Sequence, residues 1–158
     1  MILVVLGTHE LPFTRLLKAI DEQIKRDTIR DEVVVQVGHT PFKSKHMKLV
    51  KFTSYEEMDR LYDEADFIIT HGGTGSITTG LKKGKKMIAA PRLVKYGEHN
   101  DNHQLEIVNQ FEETGHLVAW HDGIDLSEAL SKMPTFQPEP FQSGKKQIIS
   151  ILREFIDK

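Results

Sequence analysis

Three short strings hold polar groups of types and spacings that can do chemistry. "HGGTGS" (71–76) puts glycines where a strand passes into a helix. Helix N-terminal amides and the helix dipole favour an anion there, and glycine lets it approach closely. "GTHE" (7–10) places Thr8, His9 and Glu10 beside Gly7. An imidazole next to a carboxylate is a plausible acid/base pair. "KYGEHNDNHQ" (95–104) puts Asn102, His103 and Gln104 in the first turn of a helix that Asn100 or Asp101 can cap. Amides and imidazoles mix donors and acceptors, as recognition of sugar hydroxyls requires. Each string also has a plainer reading, as a tight turn or a capped helix.

Other readings are excluded. There is no G-x-x-x-x-G-K-[ST] string. The dinucleotide pattern G-x-G-x-x-G also fails, because Thr78 stands where the third glycine belongs. His99 and His103 are four apart, but no third ligand follows at useful spacing and HExxH is absent, so no metal site is expected. The lysines of "KKGKK" (82–86) close the helix that begins near Ser76. At about 1.5 Å per residue they lie roughly 11–12 Å from the glycine turn, so solvation and the helix dipole account for them.

The elements that must position these strings can be read from periodicity. Apolar, β-branched runs at 2–6, 33–37, 48–52, 66–70, 86–90 and 116–120 predict six strands. Several lack in–out alternation, as strands covered on both faces do. Phe13, Leu16, Leu17, Ile20 and Ile24 predict a helix, as do Leu105, Val108 and Phe111 before Gly115. Ser54 and Glu57 form a capping-box pattern. Alternating strands and helices predict an α/β fold, a Rossmann-like, doubly wound, mostly parallel sheet. In such sheets ligands bind outside the carboxyl ends of the strands. "GTHELP", "GHTP", "HGGTG" and "PRLVKYGEHND" all follow strands, so one edge should collect them. Residues 1–132 read as this domain, and 133–158 as a proline-rich linker and a last helix over about 145–156.

Composition narrows the class. The 158 residues imply one domain, and the formal net charge of −2 gives no sign of nucleic acid as a partner. Without cysteine there is no thiol chemistry, which fits a reducing compartment. No apolar run approaches the ~20 residues that span a bilayer. "MILVVL" lacks a basic flank and reads as a strand, so a cytoplasmic location is expected.

In combination, "GTHELPFTRLL" (7–17), "ITHGGTGSI" (69–77), "GKKMIAAPR" (84–92) and "KYGEHNDNHQLE" (95–106) resemble the C-terminal, nucleotide-sugar-binding domain of MurG-type GT-B glycosyltransferases. The likeness is greatest to stand-alone catalytic subunits of the PssE/EpsF type, which serve bacterial capsule and exopolysaccharide synthesis. These are relatives of the dolichol-pathway UDP-GlcNAc transferase subunit. The resemblance covers residues 1 to about 120. It implies a UDP-sugar donor, no cofactor, and inverting transfer without an obligatory metal. By position, Gly7 and Thr8 would face the diphosphate. His71, Gly72, Gly73, Thr74, Gly75 and Ser76 would form the diphosphate and ribose cradle. Pro91 and Arg92 would lie near the base, and Glu98, Asn102, His103 and Gln104 near the sugar. His9 and Glu10 are the candidate catalytic pair. Many relatives carry Glu after the glycine loop to hold ribose; here that place is Thr79, followed by Gly80, and the resemblance does not carry ribose contact over to it.

A GT-B enzyme has two such domains, and this chain supplies one. The resemblance therefore implies a membrane-anchored, acceptor-binding partner subunit and an undecaprenyl-diphosphate-linked saccharide as acceptor. The chain would be held peripherally at the inner face of the plasma membrane through that partner. The alternative is a non-catalytic UDP-sugar-binding or regulatory subunit.

Overall fold

The computed structural model describes residues 1–141. All six expected strands are present: β1 (Ile2–Val5), β2 (Val33–Gln36), β3 (Lys48–Val50), β4 (Phe67–His71), β5 (Met87–Ala90) and β6 (Val118–Ala119). They form one parallel sheet in the order β3-β2-β1-β4-β5-β6. The helices are α1 (Thr14–Lys25), α2 (Tyr55–Glu64), α3 (Thr74–Lys82), α4 (His103–Glu113) and α5 (Leu126–Lys132). A single 3-10 turn, Val94–Tyr96, follows β5.

The missing alternation in the strands has a direct cause. Ile2, Val4, Leu6, Ile69, Ile88 and Ala90 face one buried layer with Phe13, Leu16, Leu17 and Ile20 of the α1 segment and Leu126 and Ala129 of α5. Leu3, Val5, Ile68, Met87 and Ala89 face the other layer, with Leu61, Ile77, Leu81, Val108 and Phe111 of α2, α3 and α4. Both faces of the sheet are covered except at edge strand β3, so most strand positions favour an apolar side chain.

Helix ends follow the local signals. Ser54 caps α2 by accepting from the Glu57 amide at 3.2 Å. Glu57 does not complete the capping box; its carboxylate pairs with Arg60 instead. Gly115 (φ +79°) closes α4, with the His116 amide returning to the Phe111 carbonyl. Beyond α5, residues 133–141 contain no helix or strand, but they pack on the domain. Met133 is buried, Phe136 contacts the core, and the Glu139 amide donates to the Gly115 carbonyl. The expected helix over 145–156 lies outside the described residues.

α1 ends in the same way as α4, but with Asp27 in the left-handed position (φ +66°) that glycine prefers. The Asp27 and Thr28 amides return to the Ile24 and Gln23 carbonyls. Asp27→Gly should therefore stabilise the domain by roughly 0.5–1 kcal/mol, read from the urea midpoint. A midpoint that falls would show that the side chain contributes more than its backbone strain costs.

Candidate functional site

The strand order reverses between β1 and β4, whose carboxyl ends carry Gly7 and His71. A crevice is expected at this point of an open sheet, and the loops named above meet there.

His71, the last residue of β4, is buried (8 % exposed) and organises the crevice floor. Gln104 of α4 determines its tautomer. The Gln104 carbonyl oxygen accepts from the Gly72 amide at 3.0 Å and the Arg92 amide at 3.1 Å, so its NH2 faces His71 Nδ1 at 3.2 Å and donates to it. His71 then carries its proton on Nε2 and donates to Ser76 Oγ at 3.2 Å. Burial, with the Arg92 charge next, pushes the His71 pKa down to about 3. The ring is neutral at physiological pH. It is also wedged between two glycines. A Cβ at Gly73 would lie 2.2 Å from His71 Cε1, and one at Gly7 would lie 2.5 Å from Nε2.

The amides at the crevice divide into two groups. The Gly7 amide donates to the Gln36 side chain, which also returns a bond to the Gly7 carbonyl, both at 3.0 Å. The Gly72 amide is taken by Gln104. These glycines allow close approach but offer no donor. Thr74, Gly75 and Ser76 open α3, and no side chain caps that end. Their amides have no carbonyl a turn behind them, so they remain available. The hydroxyls of Thr78 and Thr79 fold back onto the Thr74 and Gly75 carbonyls.

Beside these amides lies a cavity of about 310 Å³ lined by Gly7, Thr8, Gln36, Phe52, Thr53, Met58, Tyr62, Gly75, Ser76 and Thr79, among others. Phe52 stands half exposed at its rim. Tyr62 donates to the Ser76 carbonyl at 3.0 Å, and burial raises its phenol to about 12, so it remains a neutral wall. Thr79 thus borders the cavity, while the lysines of "KKGKK" do not. Lys83 pairs with Asp59 and Asp63, Lys85 bonds the Asp63 and Ala65 carbonyls, and Lys86 bonds the Met133 carbonyl.

The other wall is built by charges turned inward. The Arg92 guanidinium is 1 % exposed and donates to the carbonyls of Leu6, Leu11 and Glu98. Burial lowers its pKa to about 10, so it remains a cation. Glu98 is held by a two-pronged bond from Arg15 at 3.0 Å and accepts from the Leu93 amide. Pro91 is buried, and its carbonyl accepts from Arg15 at 3.1 Å. Asn102 accepts from the Val94 amide at 3.0 Å. These residues hold the β5–α4 loop in shape. His103 is exposed, with Asp101 Oδ2 3.6 Å away. His9 stacks on His99, ring centres 4.3 Å apart, and its Nδ1 accepts from the Leu11 amide at 3.1 Å. Burial and the neighbouring His99 lower the His9 pKa, so the ring is neutral with its proton on Nε2. Glu10 is exposed beside it.

The arrangement is a glycine-floored crevice in which the uncapped start of α3 opens onto a largely apolar slot. A family model described as "Glycosyltransferase family 28 C-terminal domain" matches residues 1–158. The chain belongs to this family. Among relatives, the UDP-N-acetylglucosamine transferase subunit ALG13 of Candida glabrata is 31% identical over 110 residues, which is 68% of this chain and 52% of that protein. The same-named subunit of Eremothecium gossypii is 30% identical over 103 residues, covering 64% and 49%. The chain thus spans about half the length of these relatives. An NMR solution structure of ALG13 aligns with a TM-score of 0.62 at 19% identity, covering 99% of this chain and 96% of that one. Acinetobacter baumannii MurG aligns with 0.56 at 17%, covering 84% and 40%. Both likenesses support the fold: a Rossmann-like α/β domain of the GT-B C-terminal type.

Within this family 28 domain, the sequence strings meet at one edge of the sheet, as expected, and the cavity there is also lined by Gln36, Phe52, Thr53, Met58 and Tyr62, which the strings do not include. Gln36 had a signal, as a lone amide ending an otherwise apolar strand. The cavity residues had none, since they belong to a loop and a helix flank with no motif.

Two predictions follow from the wedged imidazole. Gly73→Ala should cost roughly 1–3 kcal/mol through overlap with the ring. That added cost should vanish in a His71→Ala background. A full penalty in both backgrounds, read by chemical denaturation, would place the conflict elsewhere. The second concerns pH. An unfolded His takes its proton near 6.5 and the folded His71 only near 3, so its contribution is complete above about 6.5 and declines as pH falls toward 3. His71→Gln should flatten the stability profile in that window by up to about 1.4 kcal/mol per pH unit.

Proposed function

We propose that the chain is the donor-binding half of a two-subunit glycosyltransferase that uses a UDP-sugar. The observation that supports this best is the uncapped first turn of α3. Its free amides border a cavity that also reaches Gly7 and Phe52. The diphosphate would lie on the amides of Thr74, Gly75 and Ser76. The base would enter the slot against Phe52 and Met58, with ribose near Thr79. The sugar would extend toward His9, His103 and the β5–α4 loop. The donor to test first is UDP-N-acetylglucosamine, the sugar nucleotide named in its relatives, with UDP-galactose and UDP-glucuronic acid beside it.

In the proposed reaction an acceptor hydroxyl attacks the anomeric carbon. The bond from that carbon to the UDP oxygen breaks, UDP leaves with the electron pair, and the configuration inverts. Preorganised amides stabilise the charge growing on the diphosphate, so the reading needs no obligatory metal. The hydroxyl proton passes to the His9–Glu10 pair. Because the Leu11 amide occupies His9 Nδ1, the imidazole orients and donates, and Glu10 receives the proton. The acceptor would be a lipid-diphosphate-linked saccharide of bacterial exopolysaccharide or capsule synthesis, presented by a membrane-anchored partner. The occupied Nδ1 also favours a second reading, in which the partner supplies the base and this chain only binds the donor.

Calorimetry with UDP tests the donor site. Binding by the wild type and loss of at least about tenfold in Phe52→Ala would support it, whereas no heat with UDP would overturn it. Transfer in the reconstituted pair tests the chemistry. Glu10→Gln should lower turnover by about 10²–10⁴ while leaving UDP affinity unchanged, and His9→Ala should also slow transfer. Full turnover in Glu10→Gln would move the base to the partner.

A further inference from the structure

Residues 33–55 contain four lysines and two histidines and no Asp or Glu, in a chain whose formal net charge is −2. Lys18 on α1, Lys43 on the β2–β3 loop and Lys51 after β3 surround one groove. Its apolar lining comes from Val37, Pro41, Phe42 and Leu49. Lys45 is exposed on the same loop. Several lysines elsewhere are drawn into pairs: Lys25 with Asp21, Lys83 with Asp59 and Asp63, Lys95 with Asp122. Among the described residues no carboxylate pairs with Lys18, Lys43, Lys45 or Lys51. Lys48 belongs to the opposite face, in a groove with Glu57 and Arg60.

Exposed aromatic side chains follow directly in the chain and line the neighbouring cavity at the same edge. Phe52, next to Lys51, is 52 % exposed, and Tyr55 at the start of α2 is 83 % exposed. Both line the donor cavity. Val37, Lys51 and Thr14 mark the carboxyl ends of β2 and β3 and the start of α1. The surface therefore lies on the same edge as the crevice. Unpaired lysines beside exposed aromatics suit the headgroup layer of a negatively charged bilayer, where the rings enter the interface and the ammonium groups face lipid phosphates. Among the described residues no helix is long and apolar enough to cross a membrane, so the contact is one of adhesion.

We propose that the face formed by Lys18, Lys43, Lys45 and Lys51, with Phe52 and Tyr55, docks directly on the anionic phospholipid surface of a membrane. The chain then has a lipid contact of its own, besides any made through a partner, and the crevice mouth opens toward the bilayer. This stands independently of what the crevice binds.

The full chain is sedimented with phosphatidylcholine vesicles, with or without about 30 mol% phosphatidylglycerol, at low and high salt. The wild type should bind only the charged vesicles and release in high salt. Lys18→Gln/Lys43→Gln/Lys51→Gln should weaken binding at least tenfold, since each lysine near a charged surface contributes roughly fivefold. Tyr55→Ser should weaken it severalfold. An unchanged urea midpoint in the lysine variant shows that it is folded and keeps this test separate from that of the donor site. Three outcomes would overturn the proposal. The wild type could ignore phosphatidylglycerol, as it would if these lysines only protect edge strand β3 from pairing. The triple variant could sediment like the wild type. Inorganic phosphate could displace the protein at an ionic strength where chloride does not, which would indicate a discrete phosphate site.

Discussion

The ligand edge depends on a single neutral imidazole held out of water. His71 is pressed between Gly7 and Gly73, receives a bond from Gln104 and gives one to Ser76. Four segments are thereby fixed together: the end of β1, the end of β4, the first turn of α3 and the first turn of α4. A charged ring is disfavoured in this place, because desolvation and the Arg92 cation both oppose it. A larger residue at either glycine would overlap the ring. The glycines of the loop are thus required from beneath, by a side chain, as well as from above, by whatever the crevice holds.

The same construction explains why some amides are free. A turn containing several glycines could offer many N–H groups, but an amide already bonded within the protein is a poor donor to a ligand. Gln36 and Gln104 occupy those of Gly7 and Gly72. Among the amides left free are those of the first turn of α3, where the helix dipole adds to the bare donors. Two buried glutamines thereby occupy the glycine amides on either side and leave the uncapped start of α3 as a run of three consecutive free N–H groups.

Much of the fold was legible in the sequence because it rests on local pattern. The strand runs "ILVVL", "VVVQV" and "DFIIT" could hardly be anything else, and their lack of alternation follows from the two dry layers. The lysines of "KKGKK" were separable from the glycine turn by helix length alone. The internal partners were not legible. Gln104 and His71 are 33 residues apart, and Arg92 reaches the Leu6 carbonyl across 86. Nothing local marks either as an inward brace. The resemblance would put Arg92 near the base and Glu98 near the sugar; in the structure the guanidinium and carboxylate bond to the protein itself. The slot beside Phe52 was invisible because its walls come from a strand end, a loop and two helices that only the tertiary fold brings together.

Arg15 carries a consequence for inheritance and for grafting. Its guanidinium pairs with Glu98 and lies against the rings of Phe13, Tyr96 and Trp120, between 4.7 and 5.5 Å from their centres. These five residues come from the start of α1, the β5–α4 loop and the end of β6. A planar cation that is both forked onto a carboxylate and stacked on rings has no conservative substitute. A loop transplanted from a cousin would arrive without its counterion and its aromatic neighbours. The working unit of exchange is therefore the whole three-part cluster, and crossovers that divide it leave Glu98 buried without its cation.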